Sequence, residues 1–165
     1  MSIDLLRRSC LFILLCLAQM LVFNRIQLFG CAIPLLYSYY VITFRRNTPQ
    51  WVALPASFLM GLLIDMSANT PGIACTSLTL LAFVQPYILN LFMTSDDDEN
   101  MFVSAKTMEW NKFLTYSFFM VAIYCIVFFT VEAFNFSNWQ YWLLNIVGSI
   151  PLTWILIATL EIAKK

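Results

Sequence analysis

Hydrophobic residues run almost unbroken along this chain, and the few places where charged, amide and turn-forming residues gather divide it into six apolar stretches, at about 9–24, 30–44, 51–66, 72–93, 113–135 and 139–162. Stretches of this length without strict alternation predict membrane-crossing helices rather than strands. A hydrocarbon core of roughly 30 Å asks for about 20 helical residues at 1.5 Å rise each. The first three stretches fall short, although Arg7, Arg8, Arg45 and Arg46 can lengthen them by reaching to the surface. The second, with 15 residues and Pro34 inside it, is the stretch best suited to a re-entrant path. The opening MSIDLLRRSCLFILLCLAQM has the basic flank and apolar run of a signal peptide, but Gln19 and Met20 after Ala18 make a poor cleavage pattern. It reads as a retained first span.

Composition removes the soluble alternative: 61% of residues are hydrophobic, 11% are charged, and mean hydropathy is +0.80, against about 25% charged in ordinary soluble domains. With 165 residues and no linker, repeat or low-complexity tract, residues 1–165 form one polytopic domain of the all-α integral membrane class. Basic residues orient it. If all six stretches cross from a cytoplasmic N-terminus, eight Lys and Arg residues lie inside and only Arg25 outside. If the second stretch fails to cross, only Arg7 and Arg8 stay inside. The expectation is therefore a six-helix bundle with both termini cytoplasmic and a cytoplasmic loop at 94–112. Trp51 at an inner boundary, and Trp139, Tyr141 and Trp142 at an outer one, fit interfacial aromatic belts.

Several chemistries are excluded by what the chain lacks. It has no histidine, hence no Ser-His-Asp or Cys-His machinery and no imidazole metal site. Cys10, Cys16, Cys31, Cys75 and Cys125 have no ligand spacing and read as small apolar side chains. Net charge is zero, which gives no footprint for nucleic acid, and no glycine-rich phosphate loop appears. Neither a cofactor nor a metal is expected. The run Asp96 to Glu99 reads as a solvated loop or a contact for a basic cytoplasmic partner.

One acidic residue stands apart. In GLLIDMSANTPG, Gly61 to Gly72, Asp65 lies fourteen residues beyond Trp51, roughly 21 Å along a helix and so in the outer half of the membrane. A carboxylate there costs about 2.5 to 3.5 kcal/mol on insertion scales and faces protein or water. Gly61 and Ser57 precede it on one helical face, a stripe suited to close helix packing. Three roles stay open: capping the next helix or pairing with Arg25; contacting a partner or ligand; and acid/base chemistry, which no second deep carboxylate supports. In the structural role, Asn is expected to replace Asp65 with much of its function kept. Glu132, nineteen residues after Phe113, falls near the outer headgroups.

The segment from Asn24 through Arg25 to Gly30, then Pro34, then Gly61, Asp65, Pro71 and Gly72, resembles the rod shape-determining protein MreD family over essentially the whole chain. The resemblance implies a non-enzymatic inner-membrane scaffold of the bacterial elongation complex. Its partners would be an MreC-like bitopic protein and, indirectly, an MreB-like actin homologue and the peptidoglycan polymerase and transpeptidase. Ser57, Gly61, Asn145, Gly148 and Ser149 would then pack against partner spans. The family is similar in fold to the S components of energy-coupling-factor transporters. A vitamin-like solute-binding subunit is therefore the alternative, with Arg25, Asp65, Asn69 and Glu132 around a pocket. The chain offers few evident deep polar groups for such a pocket.

Overall fold

The computed structural model describes residues 2–21, 34–70, 72–93, 103, 108–133 and 139–163, with side chains from residue 8 onward. It is helical, and among the described residues there is no strand. The helices are α1 (Ser2–Leu21), α2 (Ser38–Ile42), α3 (Gln50–Ala68), α4 (Ile73–Phe92), α5 (Trp110–Glu132) and α6 (Trp139–Ala163). Four of them, α3 to α6, are long and apolar enough to cross a membrane, and α1 adds a shorter apolar run at Arg8–Leu21.

The interior is mostly apolar, and the exterior, unlike that of a soluble protein, is apolar as well. Leu14, Phe58, Leu63, Phe83, Leu91, Phe119, Val147 and Ile155 are exposed on the outside, while Gln19, Gln85, Thr153 and Glu161 are buried within. An apolar exterior covering several long helices identifies a multi-pass membrane protein. The exposed Trp51, Trp139 and Tyr141 lie at or next to helix starts, as interfacial aromatics do.

Consecutive long helices pack side by side, α3 on α4, α4 on α5 and α5 on α6, with α1 on α3. Pro55, Pro86 and Pro151 lie inside α3, α4 and α6, a placement that membrane helices tolerate better than soluble ones.

The second apolar stretch departs from expectation. A span at 30–44 was expected; of its described residues, 34–44, the five of α2 are helical, and all of residues 34–42 are buried. Such a short helix leaves backbone groups unpaired, and neighbouring helices supply their partners. Gln19 Nε2 donates to the Pro34 carbonyl at 3.1 Å, and the Leu35 N–H donates to Thr153 Oγ1 at 3.2 Å. The Tyr116 hydroxyl donates to the Ile42 carbonyl at 3.3 Å, and Gln85 Nε2 to that of Phe44 at 3.4 Å. Irregular backbone at membrane depth persists where protein encloses it, which is the situation of 34–44. Two bonds made by tyrosines complete the enclosure: Tyr124 donates its hydroxyl to that of Tyr37, and the Tyr39 hydroxyl donates to Glu161 Oε2 at 2.5 Å.

These bonds also set direction. Arg8 near the start of α1 donates to Thr48 Oγ1 at 3.3 Å, just ahead of α3, so both helices begin at the same end. Pro34 sits beside Gln19 in the far half of α1, and Phe44 lies under the Arg8 guanidinium, 5.4 Å from the ring centre. The chain from 34 to 44 thus returns through the interior toward the end where α1 started.

Candidate functional site

The corner between α3 and α4 is built from Asp65. Asn69 ends α3 with φ 55°, and Gly72 precedes α4 with φ 80°, two left-handed residues that turn the chain back on itself. Asparagine and glycine are the residues that adopt this region most readily. The Asp65 carbonyl accepts the N–H groups of Asn69 and of Thr70, the latter at 3.2 Å, closing the last turn of α3.

The Asp65 side chain reaches across to the start of α4. Oδ1 accepts the Ala74 N–H at 2.9 Å and the Thr70 hydroxyl at 3.0 Å, while Oδ2 accepts the Cys75 N–H at 2.9 Å. The first N–H groups of a helix have no partner within it and carry partial positive charge. A buried carboxylate received by two of them is a cap supplied from the preceding helix. This geometry realises the capping role considered above for Asp65. Oδ1 thus receives two donors and Oδ2 one.

Gly61 makes the approach possible. A Cβ built there would stand 2.4 Å from the Cys75 Cα and 2.7 Å from its nitrogen, against backbone that cannot swing aside. Ser57, one turn earlier and fully buried, satisfies its own hydroxyl on the Ala53 carbonyl at 2.8 Å. The Cys75 thiol donates to the Phe58 carbonyl at 3.6 Å. Gly61, Asp65 and Gly72 therefore come together as one corner, with Ser57 on the same face of α3.

Beside this corner lies a groove of about 710 Å³, walled by Phe58, Leu62, Met66, Asn69, Thr76 and one edge of Asp65. The other expected positions lie elsewhere. Pro34 begins the buried interior segment. Ser149 on α6 is fully buried and Gly148 and Asn145 are half-buried. Glu132 is exposed at the end of α5. Asn24, Arg25, Gly30 and Pro71 lie outside the described residues, as do Cys31, the run 96–99 and the proposed Arg25 pairing with them. Cys10, Cys16, Cys75 and Cys125 are free thiols, the last three buried.

The expectation of few deep polar groups does not hold. Gln19, Gln85, Thr153 and Glu161 are all buried, together with Tyr37, Tyr39, Tyr116 and Tyr124 around the 34–44 segment. Gln19, Gln85 and Glu161 each stand within an apolar run, and Tyr37 and Tyr39 belong to the run Tyr37-Ser38-Tyr39-Tyr40; those are the signals by which they could have been noticed. Among the described residues no group of three or more acidic, cysteine or histidine side chains could hold a metal ion.

Comparison of the chain with protein-family models, with characterised proteins and with solved structures gives no match.

Proposed function

We propose that this chain is a non-enzymatic scaffold of the MreD type in the bacterial cytoplasmic membrane. In this role it would hold an MreC-like bitopic protein and so link MreB-like filaments to the peptidoglycan polymerase and transpeptidase. The observation that carries the reading is the use made of the buried polar groups. Asp65 is bonded to the first turn of α4, and Gln19, Gln85, Tyr116 and Thr153 are bonded to the backbone of 34–44. A solute pocket needs polar groups converging on an open cavity; Gln19, Gln85, Tyr116 and Thr153 converge instead on the protein's own chain. The groove beside Asp65 has the apolar walls of Phe58, Leu62 and Met66 and suits a partner's transmembrane helix.

The same reading takes the chain as crossing six times with both termini inside. It is supported by the return of 34–44 toward the starting end of α1 and by the eight-to-one distribution of basic residues.

Depletion in a rod-shaped host tests the role. Cells are expected to become round or swollen, and the tagged protein, extracted in mild detergent, is expected to bring cell-wall synthesis subunits with it. Rods of normal width after full depletion, with no second copy present, would count against the scaffold. A stoichiometric vitamin-like molecule with an ATPase module in the extract would establish the solute-binding alternative instead.

A further inference from the structure

We propose that the groove between α1 and α3, at the end where both helices begin, binds one anionic phospholipid, with its phosphate at Arg8 and Arg45 and an acyl chain lying between the helices. The groove encloses about 690 Å³. Its mouth carries two guanidiniums, Arg8 and Arg45, with Asn47 and Thr48 beside them. Arg8 is held in position by its bond to Thr48 and by the Phe44 ring beneath it. A guanidinium presents a planar fork of donors that matches phosphate oxygens.

Behind the mouth the surface becomes apolar. Phe12, Tyr40 and Phe44 form the floor, and Ile13, Val52 and Leu59 form rims exposed to the bilayer. From Pro49 to Leu59 the groove follows α3 for ten residues, about 15 Å and so the depth of one leaflet. Trp51, 77% exposed beside the mouth, marks the headgroup level.

This combination selects the occupant. Two guanidiniums lining the groove favour a headgroup with net negative charge over a zwitterion whose cationic end would meet them. A small free anion would gain the mouth but leave the apolar length empty. An uncharged lipid would fill the length and forgo the mouth. The inference needs only the membrane setting and stands apart from the scaffold reading.

The test is native mass spectrometry of delipidated full-length protein offered an equal mixture of phosphatidylglycerol and phosphatidylcholine with matched chains. One phosphatidylglycerol per chain should be retained preferentially. Arg45→Gln should weaken retention about fivefold, and the double variant Arg8→Gln with Arg45→Gln about 25-fold. Ala56→Phe, which fills the groove without touching its charge, should abolish retention while the lipid-free unfolding midpoint stays that of the parent. Equal retention of both lipids, or full retention by Ala56→Phe, would overturn the proposal. So would displacement of the bound lipid by millimolar inorganic phosphate, which would make the mouth a site for a free anion.

Discussion

Both carboxylate oxygens of Asp65 accept donors, so an amide in its place would set an N–H₂ against a backbone N–H. The expectation that Asn keeps much of the function of Asp65 is therefore revised. Asp65→Asn should cost about 1 to 3 kcal/mol, and Asp65→Leu more, in denaturant unfolding in mild detergent. Parental stability for Asp65→Asn would show that the cap does not need the carboxylate. Two glycines nearby make opposite demands on the same experiment. At Gly61 a methyl group meets backbone, and Gly61→Ala should cost about 1 to 3 kcal/mol by forcing α4 away. At Gly72 nothing lies within 4 Å but φ is 80°, so Gly72→Ala should cost about 1 to 2 kcal/mol through backbone strain alone. Combined with Asp65→Asn, Gly61→Ala should be non-additive because both changes act on the first turn of α4, whereas additive losses would separate them.

Among the elements, α2 with its flanks depends most on others. The Tyr39 hydroxyl bonds Glu161 across 122 positions in sequence, and Leu35 bonds Thr153 across 118. Tyr39→Phe should cost about 1 to 3 kcal/mol by withdrawing a donor from a buried carboxylate. Tyr39→Phe with Glu161→Leu should lose less than the sum of the two single variants, and a simple sum would remove the pairing as a source of stability. Here the limits of sequence reading are physical. The long helices were legible because apolar length is a local property, and the Asp65 corner because its partners lie only five to ten residues away. Gln19, Gln85 and Glu161 were not, because a lone polar residue on an apolar helix carries no mark of which distant group it will meet. The shortness of α2 follows from that: once side chains of α1, α4, α5 and α6 supply its partners, the segment no longer needs the helical ladder that lipid would impose.

For the whole molecule, the proposed orientation is tested at the two ends of α3. In a cysteine-free background, a cysteine at Ala68 should react with an impermeant reagent in intact cells, and one at Asn47 only after permeabilisation; both positions are exposed. The reverse pattern would invert the orientation, and labelling of both from outside would deny that α3 crosses. The enclosed 34–44 segment, finally, constrains the order of biogenesis. A helix such as α5 can enter the bilayer with its backbone already satisfied. The 34–44 segment cannot, since its carbonyls and N–H groups find partners on α4, α5 and α6, which the ribosome makes later. A nascent chain halted after α3 would leave those groups in water or in the translocation channel, so this early stretch is among the last to reach its native place.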